Sequence, residues 1–412
     1  MVLPYRDRLG ALHERDFCLL FLGTTITTIG DRLASIALAF AVLDIGSATE
    51  LGIVFAVRQG IEAIVVLFGG VVADRLPRNL VLVVASLVQG LAQAATAIAV
   101  LGGLGGVGAI IGLQALYAVG AGVVIPTEVG LVPQTVSPAR LQQANALQGL
   151  TRNVVGVLGP AVGGLLVVAG SPGFALAVDA ASFFVCAELL RRIRIPARVA
   201  GAPTSFFSEL REGWAEFTSR TWLWASVVLF GLGNLGLAAW QVLGPALAEE
   251  EYGGAGPWSI VLTAGGGGAI LGSVLAIRIR PARPLVACVL AAVPLSFQLI
   301  ALALLAPVWA IALASFLAGV GISVHLTLWF TVFQQQVPER AQSRVSSYDT
   351  LGSFVLMPVG LAIAGPLADA IGTAATLWCG VALTWVTWLA ILALPSVWAV
   401  RPAPRTQAPA TA

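Results

Sequence analysis

The sequence predicts an all-α integral membrane protein whose twelve transmembrane helices form two six-helix bundles with pseudo-two-fold symmetry. Three observations support this fold class. Hydrophobic residues make up 58% of the 412-residue chain and charged residues only 10%, whereas soluble domains carry about 25% charged residues. The arginines between the long apolar runs all fall in segments on one predicted side of the membrane. The two halves of the chain also share motifs at a nearly constant spacing.

Twelve apolar runs are long enough to cross a membrane, because a spanning helix needs about 20 mainly apolar residues. Glycine- and proline-rich turns separate these runs. The predicted spans are residues 17–43, 51–73, 80–101, 106–128, 144–168, 174–190, 222–247, 258–277, 285–306, 308–332, 345–369 and 373–397.

The arginines test the number of spans. All 22 basic residues are arginine; Arg32, Arg58 and Arg152 lie inside spans, and the other nineteen fall between spans or at the chain ends. If the N-terminus is cytoplasmic, all nineteen are cytoplasmic and the six outer loops contain none. Since insertion leaves arginine on the cytoplasmic side, this distribution predicts twelve spans with both chain ends in the cytoplasm.

The halves of the chain resemble each other. The pairs Arg78 and Arg280, Arg140 and Arg340, and Pro160 and Pro358 are separated by 202, 200 and 198 residues. Such spacing indicates a duplicated six-helix unit, and duplicated membrane folds place a central site between their halves. The predicted domains are an N-terminal bundle (1–190), a cytoplasmic linker with an interfacial helix (191–221), a C-terminal bundle (222–397) and a disordered cytoplasmic tail (398–412).

The later part of the linker has an amphipathic helical pattern, with apolar residues at Phe206, Leu210, Trp214 and Phe217. Such a pattern is typical of a helix that lies on the membrane surface. A soluble domain is not expected here, because about thirty residues cannot bury a core.

Several ionisable residues lie at membrane depth, where they usually line a cavity. At ~1.5 Å per residue, Asp31 lies roughly 21 Å from the cytoplasmic end of span 1 and Arg58 roughly 10 Å below the outer end of span 2. In a core about 30 Å thick these depths nearly coincide. We therefore expect a buried cluster of Asp31, Arg58 and Glu62, either as a proton carrier or as a static ion pair that fixes helix register. Asp179 in span 6 is a second candidate proton carrier.

Other polar or aromatic groups inside the spans are candidates for lining a cavity. His325 is also compatible with an ordinary packing role. Asp349 lies near the cytoplasmic rim, where we expect it to cap a helix or to pair with arginines. The cavity candidates are Arg32, Gln114, Tyr117, Arg152, Asn234, Trp240, Gln241 and His325.

Two motifs carry a resemblance to a known family. The loop "GGVVADRLPRN" (residues 69–79) resembles the motif G-x-x-x-D-R-x-x-R-R/K of the major facilitator superfamily, with Asn79 at the final basic position. "GPAVGG" (residues 159–164) is similar to the end of that family's antiporter motif, with Val155 where the family has glycine. The longer stretches "DRLASIALAFAVLDI" and "VVIPTEVGLVPQTVSPARLQQANAL" look most like its macrolide-efflux and enterobactin-exporter-like branch.

The resemblance implies site roles. Asp74 would face the N-terminal end of span 11, near Ser346 and Ser347, and Arg75 or Arg78 would pair with Glu128 to close the cytoplasmic side. One departure is that span 4 lacks the arginine of many proton-driven exporters and has Gln114 and Tyr117 instead. The implied gating residues are Gly70, Asp74, Arg75, Arg78 and Glu128, and the antiporter-like packing residues are Gly159, Pro160, Gly163 and Gly164.

These observations lead to an expected function. We expect a proton-coupled, monomeric exporter of an amphiphilic or hydrophobic small molecule in the bacterial cytoplasmic membrane, with a proton-coupled uptake symporter as the alternative. A channel or scramblase also remains open, and a membrane-embedded enzyme is a remote alternative. The sequence contains no GxxxxGK[ST] loop for ATP, no metal-ligand spacing, and with a net charge of +2 no basic surface for nucleic acid. No cofactor is expected.

Overall fold

The computed structural model describes residues 10–194 and 206–401, and every regular element in these ranges is helical. A 3₁₀ turn at Pro138–Arg140 precedes the fifth α-helix. The α-helices are α1 (Arg15–Leu43), α2 (Ala48–Arg75), α3 (Arg78–Gly102), α4 (Gly106–Thr135), α5 (Leu141–Ala169), α6 (Pro172–Arg191), α7 (Phe206–Thr218), α8 (Thr221–Glu251), α9 (Ala255–Ala276), α10 (Pro284–Ala292), α11 (Leu295–Ala303), α12 (Val308–Gln336), α13 (Glu339–Phe354), α14 (Met357–Ile371), α15 (Thr373–Leu392) and α16 (Pro395–Ala399).

The predicted membrane fold is confirmed. In the part of the chain that the structure describes, 11 helical segments are long and apolar enough to cross a membrane, and they correspond to predicted spans 1 and 3 to 12. Predicted span 2 is the 28-residue helix α2, which at ~1.5 Å per residue is also long enough to cross.

Two of the predicted spans are not continuous helices. Span 9 consists of α10 and α11, which are separated at Pro294, and span 11 consists of α13 and α14, with Pro358 in the first turn of the second helix. Both segments are present as the predicted spans, but each is interrupted by a short turn. Proline lacks a backbone N–H and its ring clashes with the preceding turn, so the hydrogen-bond ladder is interrupted there.

The two halves of the chain pack against each other through related helices. Helices α1–α6 pack mainly among themselves, as do α8–α15, and the extensive contacts between the halves are α2 with α14 and α5 with α9. In the sequence duplication, span 2 corresponds to span 8 (α9) and span 5 to span 11 (α13 and α14). A two-fold operation therefore exchanges one interface with the other, as the predicted pseudo-symmetry requires.

Both interfaces are tightest at the end of the bundle that is remote from the two chain ends. A Cβ atom on Gly52 would overlap the carbonyl oxygen of Leu361, and one on Gly365 would overlap the backbone of Thr49. The Thr49 hydroxyl donates a hydrogen bond of 2.7 Å to Asp369. These α2–α14 contacts, together with the α5–α9 contacts at the same end, are called the remote closure below.

Helix α7 in the linker packs on protein. The ring of Phe217 stacks on Tyr348 of α13 with a centroid distance of 5.7 Å, and Arg344 of α13 pairs with Glu212. Phe217 is buried. The predicted helix is present, but this part of its apolar face contacts α13 rather than lipid.

Parts of the predicted linker and of the predicted tail lie outside the described residues. Residues 195–205 and 402–412 are not described. Helix α16 extends across residue 398, where the tail was predicted to begin, and Arg283 lies 4.8 Å from the ring of Trp398 in that helix. The predicted boundary at 398 is therefore too early.

Glu14, just before α1, connects the start of the chain to the turn between α4 and α5. Its carboxylate accepts hydrogen bonds from the hydroxyl of Ser137 at 2.7 Å and from the backbone N–H of Ser137 at 2.8 Å. Arg140 lies 3.5 Å away. The Ser137 hydroxyl, followed by its backbone N–H and Arg140, holds the pKa of Glu14 below its ordinary value.

We expect Glu14→Gln to lower the free energy of unfolding at neutral pH by about 0.5–1 kcal/mol, because it weakens a partly exposed, charge-assisted contact. A lowered pKa in the folded state means that ionised Glu14 stabilises the protein above its ordinary pKa. This contribution is lost as the pH falls through the lowered value. In detergent, the midpoints of thermal unfolding of wild type and Glu14→Gln should therefore differ at neutral pH and coincide in acid. Glu250→Gln, at an exposed position, is the control; equal melting of wild type and Glu14→Gln at neutral pH would contradict the assignment.

Candidate functional site

Asp31 lies in the middle of α1, where it meets α2 and α4. The hydroxyl of Tyr117 donates a hydrogen bond to Asp31 Oδ1, and the guanidinium of Arg58 lies 3.9 Å from the same oxygen. Arg58 also lies over the ring of Tyr117, with its Cζ 4.1 Å from the ring centroid. The structure therefore brings Asp31 and Arg58 together, and it adds the phenol of Tyr117 to the pair.

Hydrogen bonds continue from this pair to a second carboxylate. Arg58 donates to Gln114 Oε1 at 3.2 Å, Gln114 donates to Gln93 Oε1 at 3.1 Å, and Gln93 donates to Asp179 Oδ2 at 2.8 Å. The side chain of Asp31 is 40% exposed, whereas Asp179 is fully buried. We call this set, from Asp31 and Tyr117 to Asp179, the polar network; it links a partly exposed acid to a buried one.

Gly30 explains how α1 approaches Asp179 so closely. A Cβ atom at Gly30 would overlap the carboxylate of Asp179 and would lie 2.6 Å from the hydroxyl of Ser182. Ser182 in turn donates to Asp179 at 3.4 Å. The adjacent Gly30 and Asp31 thus place α1 against one acid of the network while contributing the other.

Glu62 and Arg32 lie beside the network. In the described part of the chain, Arg58 forms its ion pair with Asp31 rather than with Glu62, which is one helical turn further along α2 and half-buried. Arg32 faces α5, where its Cβ and Cγ lie against Gly159. The predicted cluster is therefore organised around Asp31 and Arg58, with Glu62 at its margin.

The "GPAVGG" segment packs α5 between the two halves. Pro160 lies inside α5 without ending it. The glycines allow close approach of neighbouring helices, and they contact both α1 and α9. Cβ atoms added at Gly159, Gly163 and Gly164 would meet Arg32, Leu33 and Ser259, respectively.

The predicted gating residues are only partly described. Gly70, Asp74 and Arg75 belong to the backbone of α2, but the surroundings of Gly70 and the side chains of Asp74 and Arg75 are outside what the structure describes. The guanidinium of Arg78 donates to the carbonyl oxygen of Gly130.

Glu128 has a different partner from the one expected. It accepts a hydrogen bond of 2.9 Å from Gln148 of α5, and Arg152, one turn beyond Gln148, is the cation that acts on its charge. Among the described residues, Glu128 therefore contacts α5 rather than Arg78. The side chain of Arg75, the alternative partner, lies outside the described residues, so its pairing with Glu128 stays a prediction.

Three members of the site were not predicted from the sequence: Gln93, Thr96 and Ser182. Gln114 donates to Thr96 at 3.3 Å as well as to Gln93. A signal was present, because Gln89, Gln93 and Thr96 follow an i, i+4, i+7 pattern on one face of an otherwise apolar helix, and all three are buried. Such a polar stripe in a membrane helix indicates partners on neighbouring helices.

We expect Gln93→Leu to destabilise the protein by about 1–3 kcal/mol, because it leaves the buried Asp179 without its closest hydrogen-bond donor. The double variant Gln93→Leu with Asp179→Leu removes both polar groups and should recover much of that loss. Thermal unfolding in detergent measures both effects. If the double variant were less stable than the single one, the hydrogen bond would not be the cause.

The remaining candidates in the C-terminal half separate into three environments. Gln241 accepts a hydrogen bond of 3.3 Å from Gln59 of α2 and so joins the halves. Trp240 is buried against Trp258, with ring centroids 4.8 Å apart. Asn234 donates to the carbonyl oxygen of Ser353 at 2.8 Å and faces a cavity.

That cavity has a volume of about 280 Å³ and lies between α8, α12, α13 and α15 of the C-terminal half. His325 and Trp329 line it together with Asn234. Asp349 also lines it and accepts a hydrogen bond of 3.0 Å from the indole N–H of Trp329. Asp349 therefore faces a cavity wall, where we had expected a helix cap or an arginine partner.

The architecture now defines the class of protein. Two pseudo-symmetric bundles with interrupted helices and polar groups at mid-depth are typical of secondary transporters. The family model of the Major Facilitator Superfamily matches residues 20–360. The chain belongs to the Major Facilitator Superfamily and is a multi-pass membrane transporter.

Among characterised proteins, the chain is similar to the enterobactin exporter EntS. The identity is 27% over 368 residues with the protein of Shigella boydii serotype 18, and 26% over 371 residues with that of Escherichia coli O1:K1. In both cases 85% of each chain is covered.

Solved transporter structures share the fold. A bacterial homologue of the iron transporter ferroportin in an inward-facing state has a TM-score of 0.71 at 18% identity, covering 92% of this chain and 98% of that chain. The nucleoside transporter NupG has a TM-score of 0.72 at 11% identity, covering 92% and 99%. At these identities the likeness establishes the fold alone.

Proposed function

We propose that the protein is a proton-coupled antiporter that exports an amphiphilic or hydrophobic small molecule across the bacterial cytoplasmic membrane. In this proposal the protein works as a monomer, needs no cofactor, and has both chain ends in the cytoplasm. The alternating movement of two halves about a central site is the general mechanism of duplicated transporters.

The polar network is the observation that carries the proposal. Asp31 is the partly exposed acid of this network, and Arg58 lies 3.9 Å from it. The charged or titratable groups that surround Asp31 are Arg32 on α1, Arg58 and Glu62 on α2, Tyr117 on α4 and Asp179 on α6. Charges are costly at membrane depth unless they are paired, and they usually serve a function there.

Protonation of Asp31 provides a way to couple the proton to movement. A neutral carboxyl attracts Arg58 less strongly. The guanidinium can then move away from Asp31 while it keeps its hydrogen bond to Gln114. Because α1 contacts α8 and α9 of the other half as well as α5, a change at Asp31 reaches the interface between the halves. Such a local change can shift a two-state equilibrium only by the difference in interaction energy between the states.

Export is favoured over uptake by two features. The characterised relatives are exporters, and the described cavity is lined mainly by apolar and aromatic side chains. In the proposed orientation the remote closure lies on the outer side of the membrane, as expected for a state that is closed to the outside.

The decisive experiment uses purified protein in sealed vesicles with an imposed pH gradient. A set of fluorescent amphiphiles of different charge is followed as each crosses the vesicle membrane, and a pH-sensitive dye reports proton movement. We expect substrate and protons to move in opposite directions, and an uncoupler to abolish the accumulation. Movement in the same direction would establish the uptake symporter instead. Transport that ignores the pH gradient would exclude proton coupling.

A further inference from the structure

The cavity in the C-terminal half is chemically distinct from the polar network. Phe230 and Trp329 meet edge to face in its wall at a centroid distance of 5.0 Å, and Phe230 meets His325 in the same way at 5.2 Å. Trp388 also lines it. Aromatic faces carry negative potential and attract cations, so these walls suit a positively charged group as well as an apolar one.

One carboxylate faces this aromatic enclosure. Asp349 is 6% exposed, and among the described residues those that line the cavity include no arginine and no second acid. Arg344, on the same helix, pairs with Glu212 of α7. In the described part of the chain, the partners of the Asp349 carboxylate at the cavity are neutral: the indole N–H of Trp329 and the side chain of Ser353.

Several hydrogen-bond donors of the cavity wall already have acceptors on the protein. Donors on five lining residues already point to protein acceptors: Thr384 to Gly380, Thr387 to Thr384, His325 Nδ1 to Cys288, Trp329 to Asp349, and Asn234 to Ser353. The amide oxygen of Asn234 and the hydroxyl oxygens keep lone pairs. The wall thus offers acceptors and a negative charge to whatever enters.

We propose that this cavity binds the ammonium group of an organic amine with an aromatic or aliphatic body, and that the exported molecules are cationic amphiphiles. That these molecules are exported rests on the proposed function, whereas the binding of the ammonium group does not depend on it. A buried carboxylate repels an anionic ligand and accepts a charge-assisted hydrogen bond from an ammonium group. The cavity volume of about 280 Å³ is large enough for a compact ring system. The N-terminal half then carries the proton and the C-terminal half the substrate.

The test measures binding without any gradient, on the full-length protein in lipid nanodiscs. The probes are 9-aminoacridine, which is a cation at neutral pH, and anthracene-9-carboxylate, an anion of similar ring size; quenching of tryptophan fluorescence reports binding. We expect 9-aminoacridine to bind at least ~10-fold more tightly than the anion. Asp349→Asn preserves the shape of the side chain and the acceptor for Trp329. It should weaken the binding of 9-aminoacridine by ~10-fold or more, since a loss of about 1.4 kcal/mol of binding free energy gives that factor.

A second variant keeps the test decisive if Asp349→Asn does not fold. Thr350→Asp, at another residue that lines the cavity, adds a carboxylate to the same wall and should tighten the binding of 9-aminoacridine while weakening that of the anion further. Equal affinity of the two probes in the wild type, or unchanged affinity in Asp349→Asn, would overturn the inference. Selective binding of the cation with no proton-driven transport in vesicles would leave the inference intact and remove the proposed function instead.

Discussion

Asp31→Asn is expected to abolish proton-driven transport while leaving the protein folded. The asparagine keeps the size of the side chain and an oxygen for the hydroxyl of Tyr117, but it carries no charge for Arg58 and takes up no proton. We expect the rate of substrate movement driven by a pH gradient to fall at least ~10-fold, the factor that corresponds to about 1.4 kcal/mol of lost coupling.

The same vesicles allow coupling to be separated from movement. With no pH gradient and substrate on both sides, exchange of labelled for unlabelled substrate needs no net proton transfer and should persist in Asp31→Asn. Asp44→Asn is the matched control, because Asp44 is exposed just beyond the end of the same helix; it should behave like the wild type. If Asp31→Asn accumulated substrate as the wild type does, Asp31 would have no part in coupling.

Gly365→Ala should prevent the remote closure from forming fully. The added Cβ atom would overlap the backbone of Thr49, and overpacking at a tight contact costs about 1–3 kcal/mol. A shift of that size changes the ratio of closed to open protein about 5- to 150-fold. Transport should fall accordingly, because each cycle requires the remote end to close.

Chemical labelling tests this shift directly. A cysteine at Gln59, which joins the halves through Gln241, is labelled by a membrane-impermeant maleimide added at the remote side, in protein whose four native cysteines are replaced. We expect Gly365→Ala to speed labelling. Gly112→Ala is the control, since an added Cβ there meets nothing within 4 Å. Equal labelling rates in Gly365→Ala and Gly112→Ala would show that the contact does not govern closure.

The membrane fold could be predicted from the sequence because its determinants are one-dimensional. The length of an apolar run and the sidedness of arginine follow directly from partition between lipid and water. The juxtaposition of Asp31 with Arg58 was also accessible, because helix rise fixes the depth of each residue.

The features that were not predicted depend on which helices pack side by side. Depth does not say which helix faces which, so the connection from Asp31 through Gln93 to Asp179 was not predicted. The apolar face of α7 was recognised, but its contact with Tyr348 was not. Proline alone does not locate helix breaks: Pro160 and Pro245 lie inside α5 and α8, whereas breaks occur at Pro294 and Pro358. In membrane helices the neighbours decide whether the freed backbone groups are satisfied.

The composition of the remote closure has a consequence for the solution on that side. At Gly52 and Gly365 the halves touch mainly through glycine and main-chain atoms, and the polar link described there is a hydrogen bond between Thr49 and Asp369. The acceptor Asp369 is charged but its partner Thr49 is neutral, so this link contains no ion pair for dissolved salt to screen. We therefore expect the ionic strength on the remote side to have little influence on how readily the two halves separate there.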